Sequence, residues 1–364
     1  MKAWLELLRI SNLPTVWSNL IAGAVIAAVF DGHVVAWQML VILVAGSALY
    51  LGGMVLNDVF DLEIDTRERP GRPLPSGRVS IRRASMAGWG LVVLGGLLPW
   101  TISIATGAVA VVLAGLVVLY DRIHARTARS VLVMAACRAA LYLLAAMAVA
   151  TGSPDDLPRD AMAGPGIALF LALPLFIHVA SFSAIARFEA LPIEERCPRC
   201  GHQVLPETAT CPECGSRCDL EARTARAEAR LGVHRSWWGT GTFALLVPFV
   251  GCCGVATVVV GTEPGGIGSR AGTALGLGLV IAVLLGIRLV GTTRHLARNP
   301  RAVGRFVLRS IATMSLYDAA LVATVVFGEM GPTRTPTVIG VASILACRGC
   351  FALVRWAHRR IPGT

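Results

Sequence analysis

Charged side chains are scarce in this chain: 15% of its 364 residues are Asp, Glu, Lys or Arg, while 55% are apolar. A water-soluble domain carries about 25% charged residues, so most of this chain cannot present an ordinary aqueous surface. The shortage excludes a soluble globular enzyme, a disordered protein and a secreted disulfide scaffold. Alternation of apolar with polar residues is also missing, which excludes a transmembrane β-barrel. What the chain has instead is ten continuous apolar stretches, near 13–30, 37–56, 85–104, 107–120, 131–151, 165–186, 237–260, 271–290, 309–328 and 336–354. A helix needs roughly 20 such residues to cross a bilayer. The expected fold class is all-α, a polytopic membrane helical bundle, with the third and fourth stretches joined as a hairpin at Thr106 and Gly107.

Acidic residues are the rarer sign of charge, 22 against 33 basic ones, for a net +11. Such an excess invites a nucleic-acid reading, but basic residues of membrane proteins gather in cytoplasmic loops. With the N-terminus inside, 29 of the 33 fall on inward segments, Arg159, Arg270 and Arg334 fall outside, and Arg138 lies within a helix. The excess is therefore topological, and no nucleic-acid partner is expected. The count favours an even number of passes in a cytoplasmic or inner membrane, with both termini and the acidic regions on the cytoplasmic side. The first stretch follows Lys2 and Arg9 without a convincing small-residue cleavage site, so it is expected to stay as a helix.

The scarce acids are concentrated. After the second stretch the chain reads Asn57-Asp58-Val59-Phe60-Asp61-Leu62-Glu63-Ile64-Asp65, then Arg67, Arg69, Pro70, Arg72, Pro73, Pro75, Gly77 and Arg78. Asn57, Asp61 and Asp65 recur at i, i+4 and i+8, which stacks their oxygens on one helical face, with Asp58 one position along. Mg²⁺ is a hard cation that accepts one or two carboxylates with substrate phosphate oxygens and water. Guanidinium forks bind phosphate in bidentate fashion. Carboxylates alone would repel a diphosphate, and arginines alone would not activate it as a leaving group. Together they predict a metal–diphosphate clamp, whereas a merely solvated loop would need neither the spacing nor the stiff turn.

This pattern, N-D-x-x-D-x-x-x-D followed by R-P-x-x-P-x-P-S-G, resembles the signature of the UbiA-type intramembrane prenyltransferases. The likeness extends to Arg9-Ile-Ser-Asn-Leu-Pro-Thr with Asn19 in the first helix, to Leu119-Tyr120-Asp121, and to Met134-Ala-Ala-Cys-Arg138. It covers about residues 5–190 well. Nine helices would match that family, and the charge count favours ten. The resemblance implies transfer of a prenyl group from a prenyl diphosphate to an aromatic or other small, lipid-soluble acceptor. It implies that Asn57, Asp58, Asp61 and Asp65 hold Mg²⁺, with Asp58, Asp61, Asp65 and Arg138 catalytic. Asn19, Arg69, Arg72, Arg126, Tyr142 and Glu189 are then the expected substrate-binding residues. Arg138 is an intramembrane charge, a functional-site signal or a side chain snorkelling to the interface. Tyr142 follows it at i+4. Asn19 is either a pocket residue or packing glue, and Tyr317-Asp318 is a polar spot in the ninth stretch that is a candidate for the cavity wall.

Two family features are missing. No D-x-x-x-D follows the sixth stretch, where Glu189 is the best stand-in, followed by Glu194 or Glu195. No lysine follows Tyr120, where Arg122 or Arg126 would supply the charge. These departures resemble the divergent EboC-like branch. In their place stands an insertion: Cys197-Pro-Arg-Cys200-Gly and Cys211-Pro-Glu-Cys214-Gly, a C-x₂-C-x₁₀-C-x₂-C spacing that predicts a structural Zn²⁺ site of four thiolates. Cys218 is a spare thiol nearby, and Cys347 and Cys350 read as buried small hydrophobes. The expected organisation is therefore 1–190 as the N-terminal part of the bundle, 191–235 as a cytosolic zinc-ribbon loop suited to a protein partner, and 236–364 as the rest of the bundle. Two other readings stand beside the transferase. One is an isoprenoid-diphosphate hydrolase or cyclase. The other is a non-catalytic membrane scaffold that uses the ribbon for docking.

Overall fold

The computed structural model describes residues 2–31, 34–124, 127, 129–151, 163–186, 199, 209–218, 287–288, 291–292, 303–328 and 338–360. Ten α-helices lie in the described residues: α1 Lys2–Leu7, α2 Leu13–Asp31, α3 Ala36–Phe60, α4 Leu62–Glu68, α5 Ile81–Leu97, α6 Ile104–Ile123, α7 Ser130–Thr151, α8 Ala163–Ala186, α9 Val303–Gly328 and α10 Val338–Arg360. Eight of the described helical segments are long and apolar enough to cross a membrane. The protein is an integral membrane protein, as its shortage of charge requires. Large apolar side chains such as Ile104, Phe170 and Leu345 are exposed on the outer faces, where lipid rather than water is the solvent.

The bundle is organised around α2, which packs against α3, α7, α8, α9 and α10. Helices in lipid gain nothing from hiding apolar surface from apolar solvent, so close backbone approach carries more of the association. Gly23 shows the limit of that approach: a Cβ placed there would sit 2.5 Å from the carbonyl oxygen of Tyr142 and 2.8 Å from its Cα. Only glycine lets α2 and α7 meet at this point.

The hairpin between α5 and α6 turns earlier than Thr106–Gly107. A 3-10 turn at Leu98–Thr101 carries Pro99 in its first turn, and proline cannot extend the preceding helix. Ser103 then caps α6 by accepting from the Thr106 N–H at 3.0 Å. Thr106 and Gly107 therefore belong to the first turn of α6 itself.

Candidate active site

A cavity of about 480 Å³ opens between α2, α3, α6, α7, α8 and α9. Its polar end is made by the stretch in which the acids are concentrated. The α3 helix breaks at Asp61, yet the backbone keeps its i to i−4 hydrogen bonds through the break: Asp61 N–H to Asn57 O at 2.9 Å and Asp65 N–H to Asp61 O at 2.8 Å. The i, i+4, i+8 relationship therefore survives, and Asn57, Asp61 and Asp65 all line the cavity.

The arginines follow from the turn that comes next. Gly77, at φ +72°, closes a fold in which Val79 N–H reaches Pro73 O at 3.1 Å. This brings Arg69 and Arg72 to the cavity wall. Arg72 Nη1 donates to Asp65 Oδ2 and lies 3.5 Å from Asp58 Oδ1. Arg78 is used differently. It clasps Glu6 with both terminal nitrogens, at 3.0 and 3.3 Å, and donates to Gly71 O at 2.7 Å, pinning α1 to the turn.

Asp58 does not join its neighbours on the cavity wall. It is buried, and its Oδ1 accepts from Arg9 Nη2 at 3.0 Å. Its observed contacts are therefore with the site's cations. Arg9 is held in the left-handed region at φ 44°, a conformation that costs a non-glycine residue about 1–3 kcal/mol and is stored mostly at functional sites. Its carbonyl accepts from Tyr50 OH at 3.0 Å and from Asn12 N–H at 3.1 Å. Burial works against the Arg9 charge, but Asp58, Tyr50, Tyr120 and Asp65 together outweigh it and raise its pKa.

Three contributors to this end of the cavity were not singled out as site residues from the sequence: Arg9, Asp121 and His124. Asp121 and His124 sit where the expected lysine is missing. His124 Nε2 lies 2.8 Å from Asp61 Oδ2 and its Nδ1 lies 3.1 Å from Asp121 O, two acceptors that only the doubly protonated ring satisfies together. Burial lowers the ring's pKa, and the hydrogen bonds and charges of Asp61 and Asp121 together more than reverse that, so the net shift is upward. The polarity of Leu119-Tyr120-Asp121-Arg122-Ile123-His124 at a helix end was the available signal.

Farther in, the wall turns apolar, with Val16, Leu49, Val117, Leu141, Phe182 and Met314, and Arg138 stands among them. Arg138 Nη1 donates to Thr15 Oγ1 at 3.0 Å and to Asn19 Oδ1 at 3.4 Å. Asn19, Tyr142 and Asp318 are fully buried one layer behind this wall. Asp318 accepts from Asn19 Nδ2 at 2.8 Å, from Ser18 Oγ, and from Tyr142 OH. Tyr317 is likewise buried, donating to Leu171 O at 2.8 Å. Glu189, Glu194, Glu195 and Arg126 lie outside the described residues.

Among the described residues no three His, Cys, Asp or Glu side chains converge into a ready-made metal site. Mg²⁺ does not require one, because it binds through one or two carboxylates with phosphate and water. The wall offers hard oxygen donors from Asn57, Asp61, Asp65 and Asp121, and the Asp121 Oδ2 atom is buried with no hydrogen-bond partner. These residues fit a hard divalent cation.

The insertion is described from Ala209 to Cys218. Gly215 takes φ +66°, and its N–H reaches Cys211 O at 2.9 Å. Cys211 N–H bonds Ser216 O at 2.9 Å, and Cys218 N–H bonds Ala209 O at 2.8 Å across a Thr210–Arg217 bridge. This tight turn packs Cys211, Cys214 and Cys218 against one another. Cys197 and Cys200 lie outside the described residues. Cys347 and Cys350 are buried in α10, as expected of small hydrophobes.

Fold and cavity together define a polytopic membrane protein with an acid- and arginine-rich mouth over an apolar chamber. Residues 14–195 match the UbiA prenyltransferase family, and the chain belongs to that family. Residues 196–217 match a zinc-ribbon domain. The chain is 39% identical over 84 residues to the digeranylgeranylglyceryl phosphate synthase of Sulfurisphaera tokodaii, which is 23% of this chain and 30% of that protein. It is 37% identical over 122 residues to the synthase of the same name from Ignicoccus hospitalis, 34% of this chain and 39% of that one. These matches span about a third of the length of the curated relatives. Among solved structures, the fold is shared with a UbiA homologue from Aeropyrum pernix K1, at TM-score 0.54 and 15% identity over 85% of this chain and 96% of that one. It is also shared with a digeranylgeranylglyceryl phosphate synthase structure, at TM-score 0.53 and 18% identity over 90% and 98%.

Proposed function

We propose that the protein is a Mg²⁺-dependent intramembrane prenyltransferase that moves a prenyl group from a prenyl diphosphate to a small acceptor. The observation that carries this reading is the meeting of Asn57, Asp61 and Asp65 with Arg69 and Arg72 at the mouth of one apolar cavity. Bound Mg²⁺ neutralises diphosphate charge and improves it as a leaving group. Asn57, Asp61 and Asp65 hold the cation, and Arg69 and Arg72 face the negative charge that develops as the allylic C–O bond breaks. The bonding pair leaves with the diphosphate. The electron-rich atom of the acceptor forms the new bond to the allylic carbon and releases its proton. The apolar wall accommodates the prenyl chain and keeps water from the electron-poor carbon. Arg138 orients the acceptor from the inner wall, with Tyr142 and Asn19 behind it. Arg126 adds to the diphosphate contacts, and Glu189 stands in for an acid of the missing second motif on the substrate-binding side.

The names of the relatives favour a glyceryl phosphate acceptor, a chemistry that the Arg138 guanidinium suits, and the distribution of basic residues favours a mouth on the cytoplasmic side. The zinc ribbon is a structural cap and a docking point for a protein partner. The test is prenyl transfer by the purified full-length protein in nanodiscs, using geranylgeranyl diphosphate and mass spectrometry of the lipid products. The Asp61→Ala, Asp65→Ala double variant is expected to lose transfer, and unchanged transfer would sink the reading.

A further inference from the structure

Among the described residues, one carboxylate at the mouth of the cavity makes no ion pair. Asp58 is matched by Arg9 and Arg72, Asp65 by Arg72, and Asp61 by His124. The Arg122 guanidinium lies over the Phe60 ring, 5.9 Å from its centroid. Asp121 is left over. It is 3% exposed, its Oδ1 has one long hydrogen bond from Asn57 Nδ2 at 3.4 Å, and its Oδ2 has no partner among the described residues. A buried carboxylate in this state is strongly unfavourable by itself. Asp121 lines the same cavity as Asn57, Asp61 and Asp65 but comes from α6, on another element from the acid-rich stretch. The chain also carries no D-x-x-x-D after the sixth apolar stretch.

We propose that Asp121 is a ligand of the divalent cation that accompanies the diphosphate, supplying from α6 an acidic oxygen opposite the Asn57–Asp61–Asp65 face. The inference rests on the diphosphate reading above and adds to it a residue outside the acid-rich motif. It gives the unpartnered oxygen a partner and explains why an energetically costly group sits at this place. Asp121 holds the metal side of the clamp, and Arg69 and Arg72 hold the phosphate side.

The experiment uses the full-length protein in nanodiscs, with Mg²⁺ and inorganic pyrophosphate as probes, and Mn²⁺ titrated by electron paramagnetic resonance as a direct measure of metal binding. In Asp121→Asn the Mg²⁺ concentration needed for half-maximal pyrophosphate binding is expected to rise about tenfold or more. Asp121→Glu, which keeps the carboxylate, is expected to recover most of the loss. In chelator the same Asp121→Asn protein is expected to melt above the wild type, because a neutral amide replaces the unpartnered charge. A purely structural role would move melting in the opposite direction. Unchanged Mg²⁺ dependence in Asp121→Asn, with wild-type binding intact, overturns this inference alone. A lower melting temperature in chelator overturns its premise. Absence of metal-dependent pyrophosphate binding in the wild type overturns both this inference and the function on which it rests.

Discussion

Asp318 and Arg138 are joined through a single amide: Asn19 donates its Nδ2 to Asp318 at 2.8 Å and offers its Oδ1 to Arg138 at 3.4 Å. Three helices meet in this link, α2 through Asn19, α7 through Arg138 and α9 through Asp318. A buried carboxylate and a half-buried guanidinium thus offset each other without touching, which leaves the guanidinium at the cavity wall. Truncating Asp318 to Ala removes the acceptor of Ser18, Asn19 and Tyr142 together. Each orphaned donor costs about 1–3 kcal/mol, so a large drop in melting temperature is expected in detergent. Asn19→Ala keeps the other two donors paired and is expected to cost less. A drop for Asn19→Ala equal to that for Asp318→Ala would show that the network does not hold the helices.

Arg72 is the cation most deeply engaged with the acids, since it reaches both Asp65 and Asp58. Its planar fork allows this, and a lysine presents a single point charge in its place. Arg72→Ala is expected to lower prenyl transfer about 100-fold or more, in line with loss of a charge-stabilising donor. Arg72→Lys is expected to recover only part of that rate. Full recovery in initial-rate measurements would mean that charge alone matters and the fork does not.

The acid-rich motif was legible because its spacing survives in the backbone: Asn57, Asp61 and Asp65 face the cavity through a helix break that keeps their hydrogen-bond register. The separate disposition of Asp58 was not legible, because a shift of one position on a helix decides between wall and interior, and only the placement of Arg9 shows which. Asn19 and Tyr142 are expected from the sequence as substrate-binding residues and Tyr317-Asp318 as cavity wall, whereas the structure buries all four behind the wall. Spacing along one helix cannot reveal that Asn19 and Tyr142 both bind Asp318 from other helices, 299 and 176 positions away. The α5–α6 turn was misplaced because Thr-Gly is a turn signal that the Ser103 cap overrides.

The ribbon provides a prediction independent of the membrane site. If Cys197, Cys200, Cys211 and Cys214 hold one zinc ion, the purified protein carries about one zinc per chain, as expected for a four-thiolate structural site. Cys211→Ser is expected to lose that zinc, because a hydroxyl does not replace a thiolate as a ligand. Cys218→Ser is expected to keep it. The measurement is elemental analysis after removal of loosely bound metal. Zinc retained in Cys211→Ser and lost in Cys218→Ser would move the fourth ligand to Cys218, which lies within the same thiol cluster.

Gly23 connects stability to the acceptor side of the cavity. It lies one helical turn beyond Asn19, and Tyr142 lies one turn beyond Arg138, so the Gly23–Tyr142 approach sets the distance at which Asn19 meets Arg138. A Cβ at Gly23 would fall 2.5 Å from the Tyr142 carbonyl oxygen, and backbone cannot step aside as a flexible side chain does. Gly23→Ala must therefore push α2 and α7 apart, at a cost of about 1–3 kcal/mol typical of overpacking. Gly90, on the exposed face of α5, has nothing within 4 Å of an added Cβ. Gly90→Ala is expected to be neutral or to stabilise by up to about 1 kcal/mol through helix propensity. Melting temperatures of the two variants in the same detergent check the contrast. Gly23→Ala is further expected to weaken acceptor use more than Mg²⁺-dependent pyrophosphate binding, since the displacement falls on Arg138 and spares Asn57, Asp61 and Asp65. Equal loss of both would indicate that the whole cavity, and not its inner wall, depends on the α2–α7 contact.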